Sequence, residues 1–146
     1  MPVLIACGGF LIAVLWMDLM FDVQVRPYRS SGELPEAVLA SIAGYYRRVT
    51  TEATPMNRLI AAVMMVGLVA LLVQVIDGPR GRAIPSILLL VAPVALAQMR
   101  IVPNAVRLGS RTDPAPMQSA LARAVFRDHL LCLAAVTAFL IVQLAP

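Results

Sequence analysis

The stretch VLIACGGFLIAVLWMDLMFDVQV, residues 3–25, decides the fold that this sequence can adopt. At about 1.5 Å of rise per residue, an apolar helix of this length crosses the roughly 30 Å hydrocarbon layer of a membrane. Asp18 and Asp22 lie inside the stretch, one helical turn apart. An ionised side chain near the bilayer centre costs about 2.5 to 3.5 kcal/mol, so such groups face protein and mark a site. The stretch therefore predicts a membrane-spanning helix that presents two carboxylates to the interior of a bundle.

The composition extends this prediction to the whole chain. The 146 residues are 60% hydrophobic and 14% charged, which is far from the balance of a soluble globular domain. The net charge is +4, and all twelve basic residues are arginines. Arginine beside an apolar segment is typical of topology signals and phospholipid contacts rather than of a nucleic-acid footprint. We therefore predict an integral membrane protein that has membrane lipids as partners and does not bind nucleic acid.

Three further apolar segments follow the first. They cover residues 57–76, 83–108 and 117–144, and each is long enough, or nearly so, to form a span. Between the second and third segments, residues 77–81 read Asp-Gly-Pro-Arg-Gly, a composition typical of a tight turn. The predicted fold class is all-α, with residues 1–146 forming one domain, an integral membrane four-helix antiparallel bundle.

The arginines predict the orientation of this bundle. They are concentrated in the connections after the first and third spans, whereas the short turn after the second has only Arg80 and Arg82, partly offset by Asp77. The positive-inside rule places both arginine-rich connections in the cytoplasm. We therefore predict a multi-pass protein of the bacterial inner membrane with both termini outside the cytoplasm.

The first of these connections is long enough to hold a helix of its own. Apolar residues recur at helical spacing over residues 35–52, which predicts an extra amphipathic cytoplasmic helix between the first and second spans. If it lies on the membrane, Tyr45 and Tyr46 would sit at the interface, with Arg47 and Arg48 near lipid phosphates. The alternative is a helix that packs across the end of the bundle, since both arrangements require the same apolar stripe.

Polar residues in three spans are expected at one depth. Asp18 and Asp22 lie four residues apart on the first helix, and Arg100 and Asn104 four apart on the third, so each pair forms a stripe. His129 lies at a matching level on the fourth. A buried charge requires a partner, so we expect the carboxylates to face the arginine and asparagine. The cluster is interpreted either as a salt-bridge network that fixes helix register or as a site.

Histidine favours the site interpretation. The unperturbed pKa of an imidazole, about 6.5, makes it the usual proton acceptor near neutral pH. Asp18, Asp22 and His129 are suitable metal ligands by type, but the sequence has no HxxxH or ExxH spacing to support a metal site. We therefore predict no metal and no cofactor.

Three short motifs resemble one known family. Gly8-Gly9-Phe10, the run from Pro103 to Leu108 (PNAVRL) and the run from Arg127 to Leu131 (RDHLL) resemble the anthrone-oxygenase-like family of small four-helix membrane proteins. The resemblance implies a four-helix membrane bundle with Asn104 and His129 as the matching polar positions. It also implies cofactor-independent oxygenation of anthrones to anthraquinones, an activity linked to some relatives. The chain departs from the family pattern at Phe126, near which relatives have tryptophan, and in its aspartate pair and long connection.

Three function hypotheses follow. In the first, the bundle associates with itself or joins a larger membrane complex, and its polar cluster serves assembly. In the second, it is a membrane enzyme acting on an apolar aromatic or quinone-like substrate: His129 abstracts a proton, Asn104 or Arg100 stabilises the oxyanion, and an aspartate orients the histidine. In the third, it is a small transporter, which four helices would form only as a dimer.

Overall fold

The computed structural model describes residues 2–30, 32–77 and 80–145, and within these ranges it contains helices and no strand. The helices are α1 (Pro2–Asp22), α2 (Glu36–Arg47), α3 (Thr54–Asp77), α4 (Arg80–Leu96), α5 (Val102–Ser110) and α6 (Ala115–Leu144). Short irregular turns extend them: a 3-10 turn, Val23–Tyr28, after α1, and π turns at Arg48–Glu52 after α2 and at Ala97–Ile101 between α4 and α5. The turn predicted at residues 77–81 lies partly outside the described residues, which omit 78 and 79.

Within the described ranges, four helical stretches are long and apolar enough to cross a membrane. They coincide with the four segments identified in the sequence, so the predicted all-α class and its four apolar helices are confirmed. The stretches are Pro2–Tyr28, Thr54–Asp77, Gly81–Ser110 and Ala115–Leu144.

Helix α6 lies at the centre of the packing. It contacts both α1 and α4, and α3 packs against the other sides of α1 and α4. Phe139 of α6 is fully buried in a core that includes Leu4, Leu71 and Leu90. Helices α1 and α6 approach closely at Gly8, where an added Cβ would lie 2.6 Å from the Leu140 side chain. Small residues of this kind allow apolar helices to pack at short distance.

Helix α2 packs across one end of these long helices. It contacts α5 and α6, and its Leu39 and Ile42 are buried there. The backbone of Arg47 lies so close to Gly109 of α5 that an added Cβ would be 2.7 Å from its nitrogen. Just before α2, the Leu34 amide donates a hydrogen bond of 2.9 Å to Ser119 Oγ on α6. Of the two interpretations of residues 35–52, the structure therefore has the helix that packs on the bundle.

The third long stretch is a regular helix through Pro85 and Pro93 and becomes irregular before Pro103. Pro85 and Pro93 lie inside α4, and the irregular π turn comes immediately before Pro103 in α5. Proline has no amide hydrogen and its ring clashes with the preceding turn. The wider turn accommodates this, since the Val102 amide reaches back five residues to the Ala97 carbonyl. The turn contains Arg100 and lies at the level of the polar cluster.

Candidate functional site

Asp22, at the end of α1, is the centre of a buried hydrogen-bond network. Its carboxylate is 0% exposed. One oxygen accepts a hydrogen bond of 2.6 Å from the Tyr46 hydroxyl, and the other lies 2.6 Å from His129 Nδ1. The Tyr46 hydroxyl is also 3.4 Å from the same histidine nitrogen. Three elements, α1, α2 and α6, thus each contribute one side chain to a closed triangle.

Asp18 lies one turn earlier on α1 and on the other side of the histidine. The Tyr45 hydroxyl donates a hydrogen bond of 2.6 Å to Asp18 Oδ1, and the tyrosine ring stacks on Phe21 at 4.0 Å. Asp18 Oδ2 is 3.6 Å from His129 Nε2, which is an electrostatic contact rather than a hydrogen bond. The imidazole therefore lies between two carboxylates, held at Nδ1 and less constrained at Nε2.

The two tyrosines remain neutral donors in this environment. Burial, followed by the charges of Asp22 and Asp18, raises the pKa of Tyr46 well above its usual value. Burial, followed by the charge of Asp18 and the hydrogen bond to it, also raises the pKa of Tyr45. Both hydroxyls consequently keep their protons at neutral pH and donate hydrogen bonds to the carboxylates.

Two cavities border the histidine and share a wall. One has a volume of about 110 Å³ and is lined on its far side by Met64, Pro93 and Cys132. The other has a volume of about 260 Å³ and extends towards Tyr45, Tyr46 and Asn57. Both are lined by Val14, Asp18, Ile101, Val102 and His129. His129 therefore borders space that is lined mainly by apolar side chains.

Arg100 does not face the aspartates of α1, so the expected pairing was wrong. Its guanidinium lies 3.1 Å from Asp128 Oδ2, an ion pair without hydrogen-bond alignment, and Asp128 is 1% exposed. The next residue, Arg127, reaches the other oxygen of Asp128 at 3.5 Å. The physical reason is helical geometry: Asp128 and His129 are neighbours and point about 100° apart, so Asp128 faces α4 and α5 while His129 faces α1. Asn104 is half-buried and lines neither cavity among the described residues.

Of the four residues predicted to contact lipid, Tyr46 is placed elsewhere. It is 2% exposed and its hydroxyl lies in the polar network, so the prediction of lipid contact was wrong for this residue. Tyr45 is half-buried against Asp18. Arg47 and Arg48 are exposed, and the Arg47 guanidinium also donates a hydrogen bond of 3.3 Å to the Gly109 carbonyl. The predicted contact of these two arginines with lipid phosphates stays a prediction.

A second buried polar group lies between α3, α4 and α6, and sequence reasoning missed it. Gln143 is fully buried, donates 2.7 Å to Ser86 Oγ, and exchanges hydrogen bonds of 3.1 and 3.2 Å with the amide of Gln74. Each of three apolar segments contributes one uncharged polar residue to this group. Uncharged polar side chains give a weaker signal than charged ones, because they cost less to bury in an apolar segment.

Comparison with family models, with curated proteins and with solved structures gives no match. The site is therefore interpreted from its own geometry. In the described ranges, no group of three histidine, cysteine or acidic side chains is arranged to hold a metal ion.

Proposed function

We propose that the chain is a multi-pass protein of the bacterial inner membrane whose four long helices form an antiparallel bundle, with both termini outside the cytoplasm. The four apolar stretches support the membrane location. The contacts of α1 with α6 support the antiparallel arrangement, since Gly8 lies beside Leu140 while Asp22 lies beside His129. The arginine-rich connections support the orientation.

Within this bundle we propose that His129 takes a proton from a small apolar aromatic ligand. The observation that carries the proposal is the asymmetric environment of the imidazole: Nδ1 is 2.6 Å from Asp22, whereas Nε2 lies 3.6 Å from Asp18, beyond hydrogen-bond distance, and the residue lines both cavities. A carboxylate at Nδ1 holds the tautomer that leaves the Nε2 lone pair available as a base. It also stabilises the imidazolium that forms when the proton is taken.

The remaining polar groups have supporting roles in this proposal. Tyr46 fixes Asp22 by donating to its second oxygen, and Tyr45 does the same for Asp18. Asp18, 3.6 Å from Nε2, is close enough to stabilise positive charge on the ring. A purely structural pairing would occupy both ring nitrogens with hydrogen bonds, which is not the arrangement around His129.

The cavities suggest the class of ligand. An engineered apolar cavity of about 150 Å³ accommodates benzene. The larger cavity here, of about 260 Å³, has room for a fused aromatic of two rings, and its walls are mainly apolar. A phenolic or enolisable aromatic supplies both the apolar body and the acidic proton. The resemblance to anthrone-oxygenase-like proteins points to the same chemical class. The more specific form of the proposal is oxygenation by dioxygen: the deprotonated ring carbon takes up O2, one oxygen atom remains as a carbonyl, and the other leaves as water with the two hydrogens of the carbon.

The test uses 2-naphthol, a two-ring phenol whose ionised form absorbs at longer wavelength than the neutral form. Purified protein in detergent is expected to bind it and to convert part of it to naphtholate at a pH where the free phenol is neutral. His129→Gln should retain the fold and lose the naphtholate band. Arg58→Gln, at an exposed residue that lines neither cavity, is the matched control. Absence of binding, or an unchanged band in His129→Gln, contradicts the proposal.

Assembly through α3 is a second candidate function. This helix is the least covered of the four, with 11% of its most apolar window buried. Large side chains such as Val69, Leu72 and Ile76 point outward. Such a face fits a second copy of the chain or another membrane subunit. Cross-linking tests assembly through α3. A specific dimer should form a disulfide through a cysteine introduced at Val69 on α3, whereas a cysteine introduced at Leu130 on α6 should form none.

A further inference from the structure

A groove runs along the outer face between α1 and α6, away from the buried site. It encloses about 510 Å³ and is lined by apolar side chains over most of its length. These are Trp16, Leu19, Met20, Phe126, Leu130 and Leu133. Trp16 and Met20 are 62% and 59% exposed, so this groove is open to the surroundings of the bundle.

One end of the groove is strongly basic. Arg26 and Arg29, which follow α1, line that end. Arg29 also lines an adjoining hollow of about 430 Å³ together with Arg123 and Arg127 of α6. Among the described residues that line either space, none is acidic. The 3-10 turn after α1 is thus directly followed by Arg29, which lies beside Arg123 and Arg127 of α6.

The four arginines differ in what they contact. The guanidinium of Arg123 donates hydrogen bonds of 3.2 Å to the carbonyls of Tyr28 and Gly32, so it holds the connection after α1 in place. Arg127 is 63% exposed and lies 3.5 Å from Asp128. Arg26 and Arg29 are exposed. At the basic end, the Arg123 guanidinium is therefore held in place by hydrogen bonds, and the exposed guanidinium groups of the other arginines surround it.

We propose that this groove binds an anionic diacyl phospholipid, with its phosphate at the basic end and an acyl chain along the apolar part. Charge complementarity carries the proposal: an apolar channel that ends in arginines, without an acid in its lining, matches a ligand with a hydrocarbon body and an anionic head. Arginine is suited to phosphate because its planar fork donates two parallel hydrogen bonds. Basic pockets between membrane helices on the cytoplasmic side bind anionic headgroups in this way. The inference rests on the proposed membrane location, but not on the proposed role of His129.

The experiment compares lipid binding by native mass spectrometry of the full chain in detergent. Phosphatidylglycerol is the anionic probe and phosphatidylcholine with the same acyl chains is the zwitterionic one. The wild type should bind phosphatidylglycerol more tightly than phosphatidylcholine. Arg29→Gln should weaken phosphatidylglycerol binding about fivefold, the equivalent of about 1 kcal/mol for one arginine near an anionic lipid. The control Arg58→Gln should bind like the wild type.

Three results would overturn the proposal. Equal binding of the two lipids removes the headgroup from the recognition. Inorganic phosphate that displaces the lipid at similar concentration shows that the acyl groove contributes nothing. Loss of lipid binding on dimer formation assigns the groove to a second copy of the chain. If Arg29→Gln does not fold, Arg26→Gln gives the same comparison. Alkaline extraction of membranes separates failure of the membrane location from failure of the lipid site. Release of the chain by carbonate refutes the membrane location itself. A retained chain without lipid preference refutes only the proposal that the groove binds an anionic phospholipid.

Discussion

Replacing Asp22 with asparagine alters two hydrogen bonds at once, because its carboxylate accepts from Tyr46 and faces His129 Nδ1, each at 2.6 Å. The asparagine oxygen can still accept from the tyrosine hydroxyl. Its amide nitrogen is a donor and now faces a nitrogen that was itself a donor. The least costly solution is for the imidazole to move its proton to Nε2, so that Nδ1 accepts from the amide.

The energetic cost follows from the loss of charge. A hydrogen bond to a charged group contributes about 1.5 to 3 kcal/mol, and a neutral one about 0.5 to 1.5 kcal/mol. Two bonds that become neutral therefore lower the free energy of unfolding by about 2 to 3 kcal/mol. Full burial of the carboxylate means that this difference is little reduced by solvent screening.

Two measurements test the prediction. The free energy of unfolding is obtained from denaturation in mixed detergent micelles followed by circular dichroism. The tautomer is obtained from the imidazole nitrogen signals after labelling with nitrogen-15 histidine, which reports one residue because the chain has a single histidine. Asp77→Asn, at an exposed position, is the control and should change stability by less than about 0.5 kcal/mol. The reasoning is refuted if Asp22→Asn is as stable as this control and leaves the proton on Nδ1.

Further predictions concern helix α2 and the buried polar residues around Gln143. Tyr46→Phe should lower the free energy of unfolding by about 1.5 to 3 kcal/mol at neutral pH, because Asp22 loses a donor. Since the pKa of Tyr46 is raised in the fold, its contribution to wild-type stability is present below pH about 10 and is lost as the pH rises further, so unfolding titrations of the variant should show a smaller alkaline decline. Gly109→Ala should lower the free energy of unfolding by about 1 to 3 kcal/mol and increase proteolysis of α2, because the new Cβ would lie 2.7 Å from backbone atoms of Arg47. The control Gly44→Ala has no atom within 4 Å of its new Cβ and should raise the free energy of unfolding by about 0.5 to 1 kcal/mol. Gln143→Leu should lower the melting temperature, because the buried Ser86 hydroxyl and the half-buried Gln74 amide lose their hydrogen-bond partner. An unchanged melting temperature would show that water replaces the Gln143 amide.

The sequence was sufficient for the long helices but not for the partners of the buried charges. Hydropathy and length located the four long apolar helices, because a helix satisfies its own backbone hydrogen bonds and an apolar sequence of this length needs no other pattern. The partners of Asp22 depended on which face of each neighbouring helix turns inward. His129 was predicted to lie near the acids and does so. Arg100 instead pairs with Asp128, which directly precedes His129 on α6.

The placement of Tyr46 shows a second limit. Its position on the apolar stripe of α2 was recognised, but a stripe that faces lipid and one that faces protein have the same spacing. The deciding contact is with Gly109 of α5, which is far away in the sequence and whose missing side chain lets α2 approach. No pattern within the residues of α2 carries that information.

The network around Asp22 also has a consequence for how the protein is made. During synthesis the first helix emerges with both of its carboxylates, but Tyr46 follows 24 positions later and His129 follows 107 positions later. In the proposed membrane protein, an aspartate of the first helix lacks a basic partner in the bilayer until the last helix is delivered, and it carries the full cost of its burial. We therefore expect the first helix to enter the lipid as a neutral, protonated segment or to wait beside the insertion machinery. Arrival of the last helix would release it, so that assembly of the bundle is completed in a single late step.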